Sequence, residues 1–412
     1  MNTWWDDLQS HFELRSKEST LLDWRKKAFS DFQHVGLPKQ KHDWWRSTPL
    51  KQFFSDAIVD TQLQSEFKKC SAPKNTIAIH VQGSVTDIET SSLPEGVTIL
   101  PIMQALEQHP QWIETYLGQA LSHADGLSAL NSALFDSGVL VHVAAGVHLD
   151  PTVFIHHQPA CGQLSHSRTL VILEADASAQ VLEYFDGGDA SCVLNQVTEV
   201  ILQERAICRH LKIQNLSENA KLQSMLSVHQ KESSQLNGFL MQLGGKISSC
   251  DMSIDLKAIH AHVNLSGLFL PKDHQFHQQR LSINHHVGYC QSEQNFRGIL
   301  DHHAQGVFIG RVYVAQGALK TEAHQTNKNL VLAKSAQMVT CPELQIYADD
   351  VICSHGATVG QLDNDALFYL QSRGFSESQA KEVLVKAFVM AHFDTISDEA
   401  LRDWCIAKME NE

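Results

Sequence analysis

From Val139 onward the chain repeats one kind of segment, a short alternating β-rich run closed by a polar turn. The runs fall at residues 139–143, 153–157, 169–173, 197–202, 206–213, 222–228, 247–256, 260–269, 275–283, 307–314, 329–332 and 344–347. Many recur about every 12–17 residues with wider gaps between the others, a succession of short strands and turns that suits an all-β architecture. Helical segments between them are absent, which disfavours strand–helix–strand crossovers. Tight hairpin signals are scarce, Asn237-Gly238 being the main one. Many strands joined by neither hairpins nor helices suit a parallel β-helix, in which each coil stacks on the last. A β-sandwich is the second choice from pattern alone.

The flanks differ. Leu21, Trp24, Ala28 and Phe32 recur at helical spacing, and Pro38 after Gly36 stops that helix. Trp4, Trp5, Trp24, Trp44 and Trp45 crowd the N-terminal segment as core or docking surface. Residues 77–81 and 97–100 read as strands and 103–121 as helix. After Gln361 the strands stop. Asp363 caps a helix over 364–370, and Ser376 with Gln379 makes a capping box for a second. That second helix carries Ala380, Val383, Leu384, Ala387, Phe388 and Ala391 as an apolar stripe. The stripe packs on the β region or serves as a docking handle. The expected division is a mainly helical region (1–135), a β-helix core (136–361) and a helical region (362–412).

Composition excludes several functions. A net charge of −14 argues against nucleic acid. No apolar run approaches the ~20 residues of a membrane span. Nine scattered cysteines without a C-x-x-C pair, in a chain lacking a signal-peptide pattern, point to the reducing cytoplasm. Gly244-Gly245-Lys246 lacks the rest of a Walker A loop, so ATP hydrolysis is not expected of this chain.

The densest chemistry lies between Asp349 and His355. Cys353 and His355 are two apart, so on a strand they share a face. Thiolate and imidazole suit iron, zinc or copper, or a nucleophile with its base. The plain alternative is a packed Cys beside a hydrogen-bonded His. Gly356-Ala357-Thr358 reads as a turn. Asp349-Asp350 would serve a carbohydrate-active β-helix enzyme only with a ladder of further carboxylates, which the sequence lacks. His274, His277, His285-His286 and His302-His303 read as surface or rung-lining residues.

The run IYADDVICSHGATVGQLDNDALFYLQSRG (346–374) resembles the C-terminal signature of the SufB/SufD family of iron–sulfur cluster assembly scaffolds. The similarity includes SEQNFRGIL (292–300), GVFIG (306–310) and TEAHQTNKNL (321–330), and more weakly DGLSALN (125–131) and WRSTPL (45–50). Gly356, where the SufB branch carries an acidic residue, points to the SufD branch. The resemblance implies a right-handed parallel β-helix and a non-enzymatic scaffold. It implies pairing with SufB through the C-terminal end of the β-helix. His355, and less firmly Cys353, would then lie where a partner's cysteine completes a transient iron or iron–sulfur site. The isolated chain would hold no cofactor. Val383, Leu384, Ala387 and Phe388 would carry or support contact with the ATPase SufC. A flavin has been associated with the family's complex, but no flavin motif is present. Homodimerisation in isolation stays open, as does a purely structural role for Cys353 and His355.

Overall fold

The computed structural model describes residues 9, 12–13, 21–39, 41, 43–49, 52–53, 70–89, 93–121, 125–159, 164–187 and 192–411. Trp4 and Trp5 lie outside them. The strands before the repeat are β1 (Thr76–Gln82), β2 (Val85–Glu89) and β3 (Val97–Pro101). There follow β4 (Ser137–Val143), β5 (Thr152–Gln158), β6 (Leu164–Leu173), β7 (Ser178–Gly187), β8 (Val193–Leu202), β9 (Ile207–Leu216), β10 (Lys221–Gln230) and β11 (Gln235–Gln242). The last are β12 (Ile247–Leu256), β13 (His262–Phe269), β14 (Phe276–His285), β15 (Gln291–Leu300), β16 (Gln305–Val314), β17 (Glu322–Val331), β18 (Gln337–Ile346) and β19 (Ile352–Gly360).

From β4 on, strands alternate between two sheets, and each pairs in parallel with the strand two ahead. This is a parallel β-solenoid of two strands per turn. The sandwich alternative fails because its strands would pair antiparallel. The register holds Val141, Val171, Val200, Val228, Ile254, Ile283, Val312 and Leu344 in one column. β-Branched side chains pack well at such stacked positions. Polar groups interrupt this interior. Glu183 lies there fully buried between His157 (3.2 Å), His210 (3.1 Å) and Lys212 (3.5 Å). Burial pushes its carboxyl up, but Lys212, His157 and His210 together hold it well below the ordinary carboxylate range.

The corners explain why hairpin signals are missing. Asp176, Arg205, Ser233, His260, Tyr289 and Lys320 sit at turns in the left-handed conformation, with φ of 56–61°. Their strain is offset by stacking: the amide of Asp176 donates to Glu204 O, Arg205 to Glu232 O, Tyr289 to Leu319 O and Lys320 to Asp350 O. Asn237-Gly238 is no turn; it lies inside β11. A side chain at Gly238 would meet Leu265 Cδ2 at 2.5 Å.

The two ends differ. At the N-terminal end, β2 covers β1 and β3 covers β4, both antiparallel. At the other end β19 pairs only with β17, and β18 pairs in its sheet only with β16, among the described residues.

Helices cover the flanks: α1 (Leu22–Val35), α2 (Ile102–Gln108), α3 (Pro110–Tyr116) and α4 (Gly126–Leu134), then α5 (Asn364–Ser372), α6 (Glu377–Phe393) and α7 (Glu399–Glu410). The expected helix over 103–121 is thus two, with Pro110 opening the second. The Asp125 side chain caps α4 by accepting from Leu127 N and Ser128 N. Trp45 is buried with the Arg280 guanidinium 3.3 Å over its ring, and Trp44 lies under Arg311, so these tryptophans dock on the second sheet. No helix among the described residues is long and apolar enough to cross a membrane.

Candidate functional site: the open end of the solenoid

Cys353 and His355 both lie on β19, two apart and therefore on one face. That face is the solenoid interior. Cys353 pairs with Ala323 of β17 and packs against Val312, Val314 and Ala318. Burial pushes its thiol up from the ordinary value. His355 pairs with Gln325, which pairs with Gln294 of β15. Both glutamines are buried, whereas His355 is exposed because no further turn covers it. Gln325 Nε2 donates to Gln294 Oε1 at 2.7 Å, and Gln325 Oε1 has no hydrogen-bond partner among the described residues.

Beside this column the interior is polar. Asn327 Oδ1 accepts from Asn329 Nδ2 (2.6 Å) and from Thr340 Oγ1 of β18 (2.8 Å). His324 belongs to the opposite face, where its Nδ1 meets Ser354 Oγ at 2.7 Å. Cys353 and His355 therefore offer two donors, and no cluster of three metal-ligating side chains includes them among the described residues. An iron–sulfur cluster takes about four ligands. Two donors fall short of a complete ligand set for one.

The predicted turn Gly356-Ala357-Thr358 is instead strand, the outer half of β19. Its residues are exposed, and Ile352 and Val359 are 65% and 49% accessible. Tyr347, Ile346 and Val339 add apolar surface on or beside β18. A long exposed strand with an unpaired edge is a template for another chain. Asp349 and Asp350 are exposed at the preceding turn, and Asp350 bonds Lys320 Nζ at 2.6 Å. That pairing belongs to the corner stack.

The expected caps are present. Asp363 accepts from Asp365 N and Ala366 N. Ser376 and Gln379 form the capping box of α6. On α6, Ala380, Val389, His392 and Phe393 are buried, and Val389 and Phe393 pack on the outer face of the first sheet with Leu211, Phe239 and Leu268. The His392 ring lies 3.2 Å from Asn295 O through Nε2. Phe388 is half-buried under Arg297, whose guanidinium is 4.9 Å from the ring centre. Leu384 is half-buried; Val383 and Ala387 face solvent. The apolar stripe is thus split between two faces. On α5, Phe368 (72%) and Tyr369 (57%) are more exposed than Val383 (41%), and sequence reasoning missed them. Their signal was aromatic residues on a helix that buries nothing.

The remaining histidines divide by burial. His277 and His285 are buried; His274, His302 and His303 are exposed at turns, with His274 and His303 stacked 5.0 Å apart.

Comparison with known proteins bears on this arrangement. Residues 154–388 match the family described as "SUF system FeS cluster assembly, SufBD core domain", and residues 7–155 match "SufBD protein N-terminal region". The iron–sulfur cluster assembly protein SufD of Escherichia coli K12 is 27% identical, over 91% of this chain and 89% of its own. An iron–sulfur cluster assembly SufBD family protein of Synechocystis is 27% identical, over 92% and 88%. SufD of Bacillus subtilis is 20% identical, over 98% and 97%.

Proposed function

Because this chain belongs to the SufBD family of iron–sulfur cluster assembly proteins, we propose that it is a non-enzymatic scaffold subunit that completes its site only in a complex. The terminal turn pairs with a SufB-type partner, and iron or a nascent cluster is the cargo at that junction. The observation that carries this reading is the asymmetry of the solenoid. One end is closed by β2 and β3, and the other leaves β18 and β19 exposed with His355 at the top of an interior column.

The chemistry follows from that position. Edge strands bind a partner by main-chain hydrogen bonds. A docked partner would exclude water from His355 and bring the missing donors. Neutral imidazole and thiolate are good ligands for iron. The exposed face of α5 and α6, with Phe368, Tyr369, Phe375 and Val383, is the surface for the ATPase SufC. ATP-driven movement of that partner would reach the solenoid through the buried face of α6.

The test is co-expression of the chain with a SufB-type paralogue and SufC, followed by purification and mass measurement. A stable complex containing all three is expected. Recovery of the chain alone, with neither partner retained, would reject the proposal.

A further inference from the structure

At the opposite end of the solenoid, Cys70, His156 and Asp186 place a thiol, an imidazole and a carboxylate so that one ligating atom of each lies within 4.8 Å of the others. They come from three elements: the segment entering β1, the strand β5 and the strand β7. His156 pairs with Tyr184, so Asp186, two residues further, shares the face of that pair. His156 is fully buried, while Cys70 and Asp186 are half-buried. It is the one cluster of this geometry among the described residues.

The surroundings hold the three groups in place. His156 Nε2 meets Asp186 Oδ1 at 2.5 Å. Its Nδ1 meets His80 Nδ1 at 3.2 Å, and His80 Nε2 lies 3.7 Å from Glu89. A metal-bound imidazole commonly donates its second N–H to a neighbouring acceptor, and His80 stands in that position. The helix α7 closes the cluster. Trp404 Nε1 donates to Ser71 O at 3.3 Å, fastening the residue after Cys70, and the Trp404 ring stands edge-on to Tyr184.

We propose that Cys70, His156 and Asp186 bind one divalent ion of the zinc class, within a single chain and independently of His355. Sulfur, nitrogen and oxygen donors in one set suit a borderline-soft ion and disfavour Mg²⁺ or Ca²⁺. Three protein ligands leave a fourth position for water. Binding breaks the hydrogen bond between His156 and Asp186: the Nε2 proton leaves to solvent, the ring's remaining N–H sits on Nδ1 toward His80, and the carboxylate turns toward the ion. The thiol proton of Cys70 passes to solvent as the sulfur–metal bond forms. The ion would clamp the entry to β1 onto β5 and β7, under α7.

The experiment uses the full chain, stripped with a chelator and titrated with Co²⁺. One equivalent should bind with a sulfur-to-cobalt charge-transfer band in the near ultraviolet, and Zn²⁺ should bleach it. Cys70→Ser should lose the band, and Asp186→Asn should bind at least tenfold more weakly. His355→Ala should match the wild type. Alkylation of Cys70, read by mass spectrometry, should slow when Zn²⁺ is present and gives an answer even where a variant folds poorly. A missing band, an undiminished band in Cys70→Ser, or Cys70 alkylation indifferent to Zn²⁺ would each overturn the proposal.

Discussion

His355 stands directly over Gln325 in the register of β19 on β17, at the exposed top of a column whose lower members are buried. Its side chain has solvent on the side where every earlier turn has another strand. Removing it should cost little stability, within the ~0.5 kcal/mol typical of exposed positions. His355→Ala should still assemble with its partners yet fail to build up cluster. Cys353→Ser should be milder. Reconstitution with iron and sulfide on matched complexes, read by visible absorbance and iron content, distinguishes the cases. Wild-type yield from the His355→Ala complex would make His355 a packing residue.

The helical face is tested at residues that solvent reaches, away from Phe388. Phe388 supports α6 against Arg297, so Phe388→Ala confounds docking with packing. Phe368 and Val383 are 72% and 41% exposed, so a charge there leaves the fold intact. Phe368→Asp and Val383→Asp should keep the wild-type melting temperature and reduce SufC capture tenfold or more. Undiminished capture by both variants would move the ATPase contact elsewhere.

Acid should destabilise the chain in a defined window. Burial pushes the His277 ring down to about 4, against a hydrogen bond to Gly244 O that favours its charged form. His285 is likewise pushed down to about 4, first by burial and then by His286. In the unfolded chain both rings protonate near pH 6.5. As pH falls, protons therefore bind the unfolded chain first, so these rings favour folding fully above about pH 6.5. That contribution drains between pH 6.5 and about 4, by roughly 3 kcal/mol per ring. His277→Gln keeps a donor for Gly244 O but does not titrate. Its urea midpoint should fall less steeply than the wild type's between about pH 7.5 and 4.5. Parallel profiles would contradict the assignment.

Much of this architecture was legible because it is periodic. The Val/Ile column recurs in the sequence, and runs such as 247–256 coincide with a strand. Four strands of the repeat escaped notice, β7, β11, β15 and β19, all in the first sheet. Their burial depends on partners a whole turn away: Glu183 in β7 and Gln294 in β15 are polar yet buried among other turns. Asn237-Gly238 mimicked a hairpin for the same reason. The Cys353–His355 pair was readable as two donors on one face, since strand period alone dictates it. That this face is the interior, uncovered by any later turn, required the register. Cys70, His156 and Asp186 are far apart in the chain, and no local spacing connects them.

One buried ion pair joins the solenoid to the N-terminal helices alongside their apolar packing. Arg168 Nη2 lies 2.6 Å from Glu199 Oε1, and both side chains are fully buried. Glu199 also accepts from Gly118 N (2.8 Å) and Ala120 N (3.1 Å), just after α3, while Arg168 reaches Asn131 of α4. One carboxylate thus ties the solenoid to the segment that follows α3. Glu199→Ala strands a guanidinium without its counter-charge and leaves two amides unpaired, so it should cost about 3–5 kcal/mol. Arg168→Met in the same chain removes the stranded charge but not the orphaned amides. The double variant should recover part of the loss, with a coupling of about 0.5–3 kcal/mol between the sites. Urea unfolding of the four chains in the cycle measures that coupling. Additive losses would mean that the pair fills space and that the charges themselves do not hold the helices in place.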